Sequence, residues 1–126
     1  MQKEWELQKA YISFLRLQYP DVIFLTVQSE GKRTPKNAAI AKAMGLTAGL
    51  PDVIIPEPLG EYTGLAIELK VGTNKLSKEQ SIMLARLKKK GWAILVAYDL
   101  ETAIHATRYY FGSRGKKAEP QGLFPV

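Results

Sequence analysis

Cysteine is absent from this chain of 126 residues, and histidine occurs once, as His105. Without cysteine there is no disulfide, no thiolate nucleophile and no cysteine-bound metal site. His105 falls among Ala and Ile near the end of a helical pattern and reads as a structural residue. Long apolar runs are missing too. Nothing approaches the roughly 20 apolar residues that cross a bilayer, and "MQKEWELQKA" at the start is too charged for the apolar core of a secretory signal. These absences point to a cytoplasmic protein with no membrane partner. A third absence is local. Lys and Arg number 18 in the chain, yet none falls in "PDVIIPEPLGEYTGLAIE", residues 51–68.

What is present gives that gap meaning. Eighteen basic against 12 acidic side chains leave a net charge of +6, which favours an anionic partner, nucleic acid above all. An acidic island inside a basic protein suggests a divalent cation held beside a polyanion. The chain is long enough for one domain with a real core.

Hydrophobic spacing sets out eight elements. "EWELQKAYISFLRLQ", residues 4–18, carries Trp5, Leu7, Tyr11, Phe14, Leu15 and Leu17 at helical intervals. Pro20 and Asp21 end that helix, and "VIFLTVQ", 22–28, is a β-branched strand. A basic loop, "SEGKR", follows. Thr34 before Pro35 signals a helix start and Gly45 its stop, giving a short Ala-rich helix over 35–44. "PDVIIP" and "GLAIELKVG" read as two strands of a hairpin joined by a Pro- and Gly-containing loop. A helix runs from Ser77 to about Lys90, and "WAILVAY", 92–98, is an apolar strand covered on both faces. Asp99 caps a last helix through about Phe111. Trp92 and the aromatics at 109–111 read as core or interface residues. The domain therefore occupies 1–111, and 112–126 is a Gly/Pro-rich basic tail.

One strand breaks the usual rule. In "GLAIELKVG" the apolar residues Leu65, Ile67 and Leu69 share one face, while Glu68 and Lys70 share the other. Buried charge is costly unless it is paired or binds a metal. At about 3.3 Å rise per residue the two charges lie roughly 7 Å apart along the strand, near enough to serve one small site. Asp52, at the start of the preceding strand, can reach the Glu68 side if the two strands pair. Two acidic groups on adjacent strands suit a hard cation such as Mg²⁺, which keeps several waters and also grips phosphate. A lysine beside them can orient an attacking water and stabilise charge on phosphoryl oxygens.

An Asp after proline, then Glu-x-Lys with 15 residues between, matches the PD-(D/E)xK nuclease pattern literally, as "PD" and "ELK". With its flanks, "GLTAGLPDVIIP", "GLAIELKVGTNKLSKEQ" and "LKKKGWAILVAYDLETAI", the chain resembles the VRR-NUC (virus-type replication-repair nuclease) family from about Glu4 to Phe111. The resemblance implies an α/β fold with a restriction-endonuclease-like core, a central mixed four-stranded sheet flanked by helices. It further implies a Mg²⁺- or Mn²⁺-dependent DNA endonuclease of replication, repair or recombination, in a phage or a cell. Asp52, Glu68, Glu4 and the Leu69 carbonyl would be metal ligands, Lys70 the site lysine and Gln80 a polar helper. Where members often carry an Asn-Gly-Gly-like turn, this chain has "QSEGKR", whose Lys32 and Arg33 are candidate DNA contacts. A small domain favours structure-specific cutting, at branches or junctions, and junction cutting requires a homodimer or higher assembly.

Other readings stand beside these. Glu68 and Lys70 could form a surface pair, and Asp52 could shape a turn. Ser77-x-x-Gln80 is also a capping box, which would occupy the glutamine. Glu6 competes with Glu4, although Glu4 shares the face of Gln8, Tyr11 and Leu15. Lysines in "LKKKG" suit a solvated helix end. The rival functions are a nucleic-acid-binding module without turnover and a protein-interaction subunit.

Overall fold

A computed structural model describes residues 2–27 and 34–114. The elements in chain order are α1 (Glu4–Gln18), β1 (Leu25–Thr26), α2 (Pro35–Ala43), β2 (Val53–Ile55), β3 (Leu65–Leu69), α3 (Lys78–Lys89), β4 (Ala93–Ala97) and α4 (Leu100–Gly112). The strands form a single mixed sheet in the order β1-β2-β3-β4. β2 is antiparallel to both β1 and β3, and β4 runs parallel to β3 after the α3 crossover.

The sheet is narrow because its sequence limits it. Pro51 and Pro56 bracket β2, and proline cannot donate to a ladder, so only Val53–Ile55 pairs. Among the described residues β1 pairs only with β2, and of the strand expected over 22–28 the ladder takes in Leu25–Thr26; Gln28 lies outside the described residues. β3 and β4 have no such breaks. They pair in register from Leu65↔Ala93 to Leu69↔Ala97.

Strand alternation sorts the core into two layers. Leu65, Ile67 and Leu69 pack with Val53 and Ile55 against Leu7, Tyr11, Phe14 and Leu15 of α1 and Ala103, Ala106 and Tyr110 of α4. On the opposite face Ala66 and Ile94 meet Leu84 of α3, with Ile54, Leu76 and Trp92 around them. Burying one leucine-sized side chain contributes about 1.5–3 kcal/mol, so the α1–α4 layer supplies most of the hydrophobic stabilisation. A polar chain inside it is satisfied. The Tyr11 hydroxyl donates to Thr107, which donates to the Ala103 carbonyl, each at 2.7 Å. Burial holds the Tyr11 hydroxyl well above the ordinary phenol range.

Three expectations change here. Trp5 and Leu17 are 62% and 82% exposed, because a helix buries a stripe, and only Leu7, Tyr11, Phe14 and Leu15 fall within it. His105 is exposed on α4, while its neighbours Ala103 and Ala106 are buried. The last helix takes in Gly112, with Ser113 as its C-cap. The rest of the expected tail, 115–126, lies outside the described residues, as do Lys32 and Arg33. No described helix is long and apolar enough to cross a membrane.

Candidate active site

The site is set by one consequence of strand register. Val53 pairs with Ile67 in the β2–β3 ladder, so one step back Asp52 lies directly opposite Glu68. Odd-numbered residues of β3 turn their backbone groups toward β2, and even-numbered ones toward β4, as the Lys70 N–H to Ala97 carbonyl bond at 2.9 Å shows. Continued one step beyond β2, the register puts Asp52 and Glu68 at a non-hydrogen-bonded cross-strand position, the closer of the two antiparallel spacings. Both side chains project to the α3 face. Like charges directly opposite on a sheet are destabilising. This arrangement needs a compensating group.

Each carboxylate has one oxygen tied down. The Leu69 N–H donates to Asp52 Oδ2 at 2.8 Å. Pro51, the next residue of the register, has no N–H to offer the Leu69 carbonyl. Gln80 Nε2 donates to Glu68 Oε2 at 2.9 Å, and Lys70 Nζ stands 3.6 Å from the same oxygen. The second Glu68 oxygen, Oε1, is buried with no hydrogen-bond partner, in a residue only 2% exposed.

The energetics follow from this geometry. Desolvation, then the nearby Asp52 charge, push the Glu68 carboxyl up to about 8, against a smaller lowering by Lys70. Asp52 is also raised, first by burial, with the Leu69 N–H pulling the other way and the Glu4 charge adding to the rise. A pair this close shares protons. Burial and mutual repulsion both favour the protonated forms of the pair.

Gln80 resolves an opposition that its sequence left open. Its Oε1 accepts from the Ser77 N–H at 2.8 Å, while the Ser77 hydroxyl accepts from the Gln80 N–H at 3.1 Å, completing the capping box. The cap uses the amide oxygen, which leaves the NH₂ end directed at Glu68. Cap and site use opposite ends of one side chain. Gly49 fixes the distance between these halves. Its φ is +81°, and a Cβ there would sit 2.4 Å from the Glu79 carbonyl oxygen and 2.9 Å from the Gln80 nitrogen. The turn before Asp52 thus rests on the first turn of α3, which only glycine permits.

Glu4 and Glu6 separate cleanly. Glu6 accepts from the Lys3 N–H at 2.9 Å and serves its own helix end. Glu4 instead accepts from Asn74 Nδ2 at 2.8 Å, and its charge is felt at both Asp52 and Glu68. It does not join them closely. Among the described residues no three His, Cys, Asp or Glu side chains come together to hold one ion. Asn74 and Tyr98, whose hydroxyl donates to the Asn74 carbonyl at 2.7 Å, went unnoticed in the sequence. An Asn after a Gly-containing turn carries no signal beyond the turn itself.

A mixed sheet with helices on both faces, and paired acids plus a lysine at the end of its central strands, defines a small nuclease-type domain with a restriction-endonuclease-like core. The chain belongs to the VRR-NUC domain family, whose model matches residues 2–98. It is similar to a solved structure described as a "VRR_NUC domain protein", at 28% identity, with a TM-score of 0.69 over 88% of this chain and 89% of that one. No curated protein matches it in sequence.

Proposed function

We propose that this chain is a divalent-metal-dependent DNA endonuclease that hydrolyses phosphodiester bonds at branched or junction DNA. The observation that carries the reading is the buried Glu68 carboxyl beside Asp52, whose Oε1 accepts from no N–H or O–H donor. A buried acceptor left unmade costs roughly 1–3 kcal/mol, and more when charged. That cost is relieved by a cation, and the donor set is all oxygen, which suits Mg²⁺ or Mn²⁺. Asp52, Glu68 and the Leu69 carbonyl would hold the ion, with Glu4 at the rim. When bound, such an ion supplies positive charge against the scissile phosphate and makes a water easier to deprotonate.

The protein's own groups do the rest. Gln80 pins Glu68 Oε2 and so leaves Oε1 for the ion. The Leu69 N–H pins Asp52 in the same way. At 3.6 Å from Glu68, beyond hydrogen-bond length, the Lys70 ammonium keeps its donors for the attacking water or a phosphoryl oxygen. Lys32 and Arg33, beyond the described residues, are proposed to hold the DNA backbone, and cutting at junctions calls for a homodimer. A binding module without turnover has no use for two acids crowded against a polyanion.

The test is cleavage of plasmid and four-way-junction DNA with and without Mn²⁺, comparing wild type with Lys70→Ala and Asp52→Asn. Loss in both variants supports the reading; equal cutting by all three refutes it.

A further inference from the structure

Glu4 sits in the first turn of α1 but does not cap it, because Glu6 already accepts from the Lys3 N–H. Its carboxylate is held from elsewhere. Asn74 lies in the loop between β3 and α3, and its side-chain NH₂ reaches Glu4 Oε2 at 2.8 Å. Only the NH₂ end can face a carboxylate, so the amide orientation follows from the contact. Two bonds fix the Asn74 backbone in turn. Its N–H donates to the Val71 carbonyl at 3.2 Å, closing a turn through Gly72 at φ +59°. The Tyr98 hydroxyl donates to its carbonyl at 2.7 Å. Tyr98 follows Ala97, whose carbonyl accepts from the Lys70 N–H. The chain of contacts thus runs from the Lys70 backbone through β4 and Tyr98 to Asn74, and ends on Glu4.

We infer that Asn74 is a positioning residue that holds Glu4 toward the Asp52–Glu68 pair, with Tyr98 as its anchor. The inference rests on the metal-dependent reading above. A free glutamate gains rotamer entropy by swinging into solvent. The charge-assisted hydrogen bond from Asn74 opposes that. Without Asn74 the balance tips toward solvent, and Glu4 leaves the rim of the site. Since Glu4 does not share one cage with Asp52 and Glu68, its contribution is outer and smaller than theirs.

The experiment is calorimetric titration of the full chain with Mn²⁺ alone, so the readout does not depend on DNA cleavage. Glu68→Gln should abolish binding. Asn74→Ala should weaken it about tenfold, matching roughly 1.4 kcal/mol, and Glu4→Gln should weaken it about equally. Adding Asn74→Ala to Glu4→Gln should cost nothing more, because the asparagine acts only through that carboxylate. Tyr98→Phe should give a smaller loss in the same direction, and carries the test if Asn74→Ala misfolds. Unchanged affinity in Asn74→Ala, or losses that multiply in the double variant, would overturn the inference while leaving the metal site intact. A wild type that binds no Mn²⁺, or a Glu68→Gln that binds as well as wild type, would instead take down the metal-dependent reading and this inference with it.

Discussion

Glu68→Gln is the most informative single substitution, because two opposite effects on stability should appear in one protein. A group whose folded pKa is raised loses stability as pH climbs from its unfolded value to its folded one. For Glu68 that window runs from about 4.5 to about 8. At 1.36 kcal/mol per unit the full shift sets a ceiling of about 5 kcal/mol. Sharing with Asp52 and local relaxation bring the expected figure to about 2 kcal/mol. Glutamine keeps the shape and an oxygen for Gln80 Nε2, but carries no charge. Without metal at pH 8.5, the variant should therefore melt roughly 6–12 °C above wild type, at about 3–6 °C per kcal/mol for a chain of this size. At pH 4.5 the two should melt together, since wild-type Glu68 is then protonated. Mn²⁺ at 100 times its Kd adds about 2.7 kcal/mol to a protein that binds it, so wild type should overtake the variant. Thermal melts at three pH values, with and without Mn²⁺, make the comparison. A variant no more stable than wild type at pH 8.5, or a gap that does not close toward pH 4.5, refutes the account of a crowded acid pair.

Gly49→Ala should destabilise by about 1–3 kcal/mol in urea unfolding, because its Cβ meets the Glu79 carbonyl at a left-handed φ. The same substitution should also cut DNA cleavage by parting Asp52 from Gln80. Ser77→Ala should cost about 1 kcal/mol of stability through the lost cap, whereas Gln80→Ala should add a loss of Mn²⁺ affinity that Ser77→Ala lacks. Tyr110→Phe should lower stability by roughly 1 kcal/mol by freeing the Glu57 carbonyl from its 2.7 Å bond, and leave Mn²⁺ binding unchanged.

The sequence was most legible where periodicity and punctuation agreed. α1 and α3 fall where their caps and apolar spacing place them, and Leu65, Ile67 and Leu69 face the core as alternation requires. β1 was misjudged because strand length depends on the partner, and the prolines that shorten β2 lie 25 residues or more away. Trp5 and Leu17 misled because an apolar residue one step off the buried stripe still looks helical in spacing. The candidate site divides similarly. Asp52, Glu68 and Lys70 could be placed together from alternation and one assumed hairpin. Asn74 could not, since its role comes from a turn that returns it to a helix 70 positions earlier. Gln80 was framed as a choice between cap and site because a sequence names a side chain, whereas an amide has two ends.

Three explanations compete for the buried Glu68, and magnitudes favour the metal-dependent reading proposed above. A surface ion pair with Lys70 would contribute at most about 1 kcal/mol, but Glu68 is 2% exposed and its partner stands 3.6 Å off. A structural buried pair needs its remaining lone pairs satisfied to offset several kcal/mol of desolvation per ion. Here Oε1 accepts from no N–H or O–H donor, and the Asp52 carboxylate opposes Glu68 while Lys70 stands 3.6 Å away, so burial of the charged form is only partly offset. A fold kept for stability alone would do better with glutamine at this position. The third explanation, the ion proposed above between Glu68 and Asp52, would satisfy Oε1, reverse the sign of the Asp52 interaction and make use of the Leu69 carbonyl. It would turn each unfavourable feature of the strand into a favourable one.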